Sequence, residues 1–145
     1  MRAVVQRVSS ARVTVDGSVA GGIGRGLCVL LGVADDDTGA VAERLAARVA
    51  RLRIFENDDG RFDRSLVDTG GAALVVSQFT LVADTAKGNR PSFSRAAPPE
   101  HARPLYEAFC DALQDEGVAV ERGVFAARML VEIANDGPVT ILLDT

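Results

Sequence analysis

Ala72-Ala73-Leu74-Val75-Val76-Ser77-Gln78-Phe79-Thr80-Leu81 is the stretch whose reading decides the fold. Its apolar half is too β-branched and too short for anything but a buried strand. Its second half carries a hydroxyl, an amide and another hydroxyl at Ser77, Gln78 and Thr80. A strand over 72–82 that leaves the core with these groups near its end can line a pocket, because alternate residues point to opposite faces. Without a function, it is an ordinary sheet end. A second stretch, Asn135-Asp136-Gly137-Pro138-Val139-Thr140, separates two β-like runs, Met129 to Ala134 and Val139 to Leu143. Pro138 can donate no ladder hydrogen bond there, so the local reading is a turn between strands.

A length of 145 residues suits one compact domain, 1–145, with room for a genuine core. Hydrophobic residues at 48% and charged residues at 25% give the profile of a water-soluble globular protein. No apolar run approaches the roughly 20 residues needed to cross a bilayer, so no membrane partner is expected. The first residues, Met1 to Arg7, lack a signal-peptide core and read as a strand. Cys28 and Cys110 sit among apolar neighbours, which points to buried free thiols in a reducing cytoplasm. The net charge of −4 argues against broad nucleic-acid coating, and no DNA partner is expected. The single histidine, His101, lies in Pro98-Pro99-Glu100-His101 at a helix start, out of place for a Ser-His-Asp triad. Two cysteines and one histidine far apart make no zinc site, and no metal or cofactor is expected. Any catalysis must do without the usual imidazole base.

In chain order, residues 3–8 predict a strand, and 12–15 with 18–20 a hairpin about Asp16-Gly17. Gly21 to Gly26 fits neither the phosphate-loop nor the dinucleotide pattern and reads as a second hairpin connection before the strand 27–33. Asp35-Asp36-Asp37-Thr38 precedes a helical pattern of Val41, Leu45, Val49 and Leu52, so capping is preferred to a metal. The stretch 84–99 is long, irregular and basic, with Lys87, Arg90, Arg95 and a lone Phe93. Such loops are usually functional or disordered, and a phosphate-rich partner would suit this one. A helix to Glu116 follows, starting near Arg103 or kinked by Pro104. The order β-β-β-β-α-β-β-α-β-β-β predicts an α/β fold, a layered β/β/α sandwich with two helices on a largely antiparallel or mixed sheet.

Taken together, Ser77-Gln78-Phe79-Thr80-Leu81 and Asn135-Asp136-Gly137-Pro138-Val139-Thr140 in a chain of this length resemble D-aminoacyl-tRNA deacylase. The resemblance runs through Gln6-Arg7-Val8, Arg53-Ile54-Phe55, Arg90-Pro91-Ser92-Phe93-Ser94 and Phe125-Ala126-Ala127, with Pro104 and Ile141 as minor departures. It implies hydrolysis of the ester between a D-amino acid, or mischarged glycine, and the 3′-terminal adenosine of tRNA. It implies a cytoplasmic homodimer in which a cis Gly137-Pro138 enters the partner's pocket and Arg7 holds that motif. Sequence physics alone would favour trans, since cis bonds are about 5–6% of X-Pro bonds in folded proteins.

A chirality filter must test the side of Cα on which the side chain projects, and stiff main-chain carbonyls do this well. Glycine at 137 allows close approach and the Pro138 ring fixes the backbone. Glycine as the amino acid has nothing to clash and should pass. An aminoacyl ester is already activated, so positioned water and oxyanion donors can suffice. Thr80 has no base visible nearby and reads better as a positioning group than a nucleophile. The resemblance adds main-chain amides around Phe79-Thr80 that hold the aminoacyl end, and a substrate 2′-hydroxyl that assists. Phe125 and Met129 are candidates to receive the terminal adenine, or core residues. The competing functions are an unselective Thr/Ser esterase and a non-catalytic RNA-binding module using the 84–99 loop.

Overall fold

The computed structural model describes residues 1–145, and strand β1 (Arg2–Val15) organises them. Asp16-Gly17 turns the chain back into β2 (Ser18–Ile23), and β3 (Gly26–Gly32) continues along the same edge of β1. Strand β8 (Leu130–Asp144) runs antiparallel along the other edge. Beyond β3, strands β6 (Ala72–Ser77) and β7 (Ala119–Arg122) add in parallel. The mixed sheet curls so that β2 approaches β7 and the structure is nearly barrel-like.

Helices α1 (Gly39–Arg51) and α3 (Pro99–Asp115) pack side by side on one face. Period-two alternation in the strands supplies two cores. Val5, Val29, Leu31 and Val75 meet Leu45, Val49, Phe109 and Leu113 of the helices in a large cluster. Val8, Val13, Cys28, Leu74 and Val76 form a smaller cluster on the other face. A short pair, β4 (Phe55–Glu56) and β5 (Phe62–Arg64), and a one-turn helix α2 (Leu66–Thr69) with a Ser65–Asp68 capping box complete the layer. The layered α/β arrangement with two long helices on one side matches the expectation. No helix is long and apolar enough to cross a membrane.

Several local expectations change. Residues 3–8 and 12–15 belong to one 14-residue strand, because β8 pairs with it almost throughout. The link at Gly24-Arg25 joins two strands on the same edge of β1 and is not a hairpin. The strand expected over 72–82 stops at Ser77, and Phe79–Val82 forms a 3-10 turn. The reason is the neighbours: β3 ends at Gly32, and β7 pairs only with Ala72 to Val75. The runs on either side of Gly137-Pro138 are one strand with an excursion, since β1 continues beside both. Thr38 takes the N-cap position without a side-chain bond. Asp37 instead accepts from the Met1 ammonium at 2.5 Å and the Ala34 amide at 2.7 Å. Helix α3 begins at Pro99 and runs through Pro104.

Both cysteines are buried and free. Burial pushes the Cys28 and Cys110 thiols from 9.0 up to about 11. The unfolded chain releases these protons at lower pH than the fold does, so their stabilisation is complete below pH 9 and is lost as pH rises from 9.0 to about 11. The slope is about 1.4 kcal/mol per pH unit per thiol. Urea midpoints at about pH 8 and about pH 10 should show the drop, and iodoacetamide at about pH 8 should label the thiols only after unfolding.

Candidate active site

The two sequence stretches occupy two separate places on one protomer. At the first, β6 delivers Ser77 and the main chain then tightens into the 3-10 turn Phe79–Val82. The Gln78 amide donates to Leu31 O at 2.8 Å, the last contact in register with the sheet. Leu81 N donates to Gln78 O and Ala83 N to Thr80 O, each at 3.2 Å. The Phe79 and Thr80 amides, at the start of the turn, have no acceptor within it. Unpaired donors at the start of a helical turn are ready to receive an oxygen carrying negative charge. Phe79 and Thr80 are exposed, and Ser77 and Gln78 are half-buried.

The Thr80 hydroxyl accepts from Gln78 Nε2, and no carboxylate or imidazole bonds to it. His101 is engaged elsewhere, with Nε2 3.1 Å from Asp37 O. The turn is seated from below and clamped from the side. A Cβ on Gly32 would fall 3.0 Å from Leu81 Cβ and 3.1 Å from Gln78 O, so only glycine lets the turn sit this close. Arg2 Nη1 donates to Leu81 O at 2.9 Å, while its Nε and Nη2 hold Asp144 Oδ2 at 3.1 and 2.6 Å. That bond to Arg2 holds the Asp144 carboxyl below the usual carboxylate range. The sequence reading missed Arg2, which there is only a charged residue opening a strand.

At the second place, β8 bulges away from β1. Thr140 pairs with Gln6 and Asn135 with Val8, so Asp136 to Val139 all lie opposite Arg7. Gly137 has φ +126°, a conformation that disfavours side chains, and a Cβ there would fall 3.0 Å from Arg7 Nη2. The Gly137-Pro138 bond is cis, as the resemblance implies. Asn135 Nδ2 closes the mouth of the bulge, donating to Arg7 O at 2.9 Å and Val139 O at 3.0 Å.

Arg7 is only 7% exposed and is not a surface arginine. Its Nε donates to Asp136 O at 3.1 Å and its Nη1 to Ile54 O at 2.9 Å. Glu56 and Asp136 carboxylates lie 3.7 Å away, and the Phe62 ring centroid lies 5.5 Å from the guanidinium carbon. The clamp leaves Gly137 and Pro138 exposed.

The structure thus gathers Ser77, Gln78, Phe79 and Thr80 in one turn, and Arg7, Gly137 and Pro138 in another patch. Arg2 and Arg7, which hold the two places, are five steps apart along β1, on the order of 15 Å of strand. Phe125 and Met129 are both half-buried but attach to different cores. Phe125 packs on Tyr106 at 5.9 Å between centroids, with the Arg103 guanidinium carbon 4.7 Å from its ring centroid. Met129 Sδ lies over Gly123, beside Val76.

The sequence profile of the D-Tyr-tRNA(Tyr) deacylase family matches residues 4–144. The chain belongs to that family. With membership goes the enzyme class, a hydrolase acting on aminoacyl-tRNA. Relatives named D-aminoacyl-tRNA deacylase include those of Roseiflexus castenholzii, 66% identical over 100% of this chain and 92% of its own, and Anaeromyxobacter dehalogenans, 61% identical over 100% and 97%. A solved structure described as c-Myc DNA Unwinding Element Binding Protein superposes with TM-score 0.94 at 43% identity, covering 100% of this chain and 99% of that one. A probable eukaryotic D-amino acid tRNA deacylase shares the fold at 18% identity, with TM-score 0.85 over 99% and 98% of the two chains.

The two-point grip of Arg7 on Asp136 O and Ile54 O is open to test in this deacylase. Arg7→Met strands both carbonyls and is expected to cost about 2–3 kcal/mol in urea unfolding. Arg7→Lys keeps the charge, but a single ammonium lacks the planar fork and should recover less than half of that loss. Lysine matching wild-type stability would count against a two-point grip.

Proposed function

We propose that residues 1–145 act as one domain that hydrolyses the ester of D-aminoacyl-tRNA, and of mischarged glycyl-tRNA, in the cytoplasm, as a homodimer. The observation that carries this reading is the pair of amides at Phe79 and Thr80 that open a 3-10 turn without an acceptor in it, the turn seated against Gly32 and held by Arg2, in a chain of this family. The ester carbonyl oxygen would accept from these amides. As water adds to the carbonyl carbon, negative charge grows on that oxygen and the two donors stabilise it without reorganising. The carbon–oxygen bond to the ribose then breaks, and the ribose oxygen takes the proton. The neighbouring 2′-hydroxyl assists by holding the attacking water, a role that calls for RNA rather than DNA. Thr80, bonded to Gln78, would orient this arrangement and not attack.

Selection for D would come from the main chain of Gly137 and Pro138. Their exposure, and their attachment to Arg7 while the turn hangs on Arg2, support delivery into the cleft of a second copy. The Arg7 clamp makes that backbone stiff, so an L side chain meeting it would find no relief. A D side chain would point away, and glycine would have nothing to clash. Phe125 and Met129, at the end of β6, would border the adenine.

Free amino acid released from D-Tyr-tRNA, Gly-tRNA and L-Tyr-tRNA should show hydrolysis of the first two and little of the third. Equal release from D and L esters would indicate an unselective esterase, and none from any would indicate an RNA-binding module. Gly137→Val should preserve the far-ultraviolet circular dichroism of the chain and lose D-ester hydrolysis. Retained hydrolysis would remove Gly137 from the filter. Thr80→Ala is expected to keep turnover within about ten-fold, whereas a loss beyond about 10³-fold would support covalent or essential side-chain catalysis.

A further inference from the structure

Phe79 and Phe93 meet edge to face, with ring centroids 5.1 Å apart and planes at 67°. Both belong to neither core, and they remain 56% and 38% exposed. Two aromatic rings paired in the open need a reason, since burial in either core would stabilise them more. Phe93 is fixed in place by main-chain bonds. Asp84 and Ser92 exchange N–H···O bonds of 2.8 and 2.9 Å, pinching the loop between them. Ala96 N then donates to Phe93 O, and Asp35 N to Arg95 O, each at 3.0 Å, tying the following residues to the end of the sheet layer.

The same loop carries Lys87, Arg90 and Arg95, all exposed and none in an ion pair. Its one acid, Asp84, is engaged with the Ala86 amide at 2.9 Å. Exposed aromatic faces among free cations are the equipment by which proteins hold single-stranded nucleic acid: the rings stack on bases and the cations follow the phosphates.

We infer that the Phe79–Phe93 pair is a stacking step for the base of the nucleotide preceding the terminal adenosine, with Lys87, Arg90 and Arg95 along the phosphates leading to it. This rests on the deacylase reading, in which the Phe79 amide holds the ester; the Phe79 ring then lies beside the incoming strand. The 3′ end of tRNA is single-stranded, so its bases are free to stack. Such a step is indifferent to tRNA identity, because every base has a π-face. It adds affinity for the strand, not for the amino acid.

Two non-hydrolysable ligands separate these contributions. One is 3′-amino-3′-deoxyadenosine carrying D-tyrosine through an amide; the other is the same amide ending the trinucleotide CCA. By isothermal titration the wild-type homodimer should bind the trinucleotide roughly ten-fold or more tightly than the adenosine amide. Phe93→Leu should reduce that advantage to about two-fold while changing the adenosine affinity by less than about two-fold, and Phe93→Trp should retain it. Equal affinity of the wild type for both ligands would overturn the inference. So would an advantage that survives Phe93→Leu, which would then belong to the phosphates alone, or an equal loss for both ligands, which would make Phe93 a prop for the turn. Failure of the wild type to bind the adenosine amide would sink the deacylase reading, and this inference with it.

Discussion

A buried guanidinium on the central strand is the constraint from which the candidate mechanism follows. Arg7 alternates with Val5 and Ala3 toward the helix-covered face, where a hydrophobic residue would be the ordinary occupant. A charge placed there needs partners, and two main-chain carbonyls with two flanking carboxylates supply them. One of those carbonyls belongs to Asp136, so satisfying the charge and shaping the bulge are a single event. β8 cannot relax into a regular ladder opposite Arg7 without stranding the guanidinium. Exposed backbone at Gly137-Pro138 is thereby stiffened from beneath, which is what a steric filter requires.

The chemical end of the molecule is built on the opposite logic. There, donors are left free. The 3-10 turn arises because β6 outruns its neighbours, and the first two amides of such a turn find no internal acceptor. Gly32 and Arg2 hold the turn without occupying those amides. Donors frozen in the ground state would favour a developing charge at little cost in reorganisation. The absence of a titratable partner for Thr80 suits an ester that is already activated.

Membership of the deacylase family and the geometry of the chain bear on different parts of this picture. The family carries the reaction class. The geometry places the Arg7-clamped bulge and the 3-10 turn at different points along β1. It also exposes the Phe79–Phe93 pair, with Phe93 on the loop that carries Lys87, Arg90 and Arg95. The sequence names Phe79 for its place after the strand and Phe93 for its place in a basic loop, and nothing in their spacing says that they touch.

Composition and pattern by themselves determined the layered α/β class, the two long helices and the buried thiols. These follow from periodicity, from residue type and from local motifs, all of which act over a few residues. Tertiary structure decided the rest. That β1 is one strand, that β6 ends at Ser77, that Asp37 serves the Met1 ammonium and that Asp136 to Val139 form a bulge and not a turn all depend on which strand lies alongside. Arg7 shows the difference most plainly: its alternation with Ala3 and Val5 is legible in the chain, but its carbonyl partners at Ile54 and Asp136 are 47 and 129 residues away. Hydrogen-bond satisfaction of a buried charge is a property of three-dimensional neighbours, and sequence separation carries no trace of it.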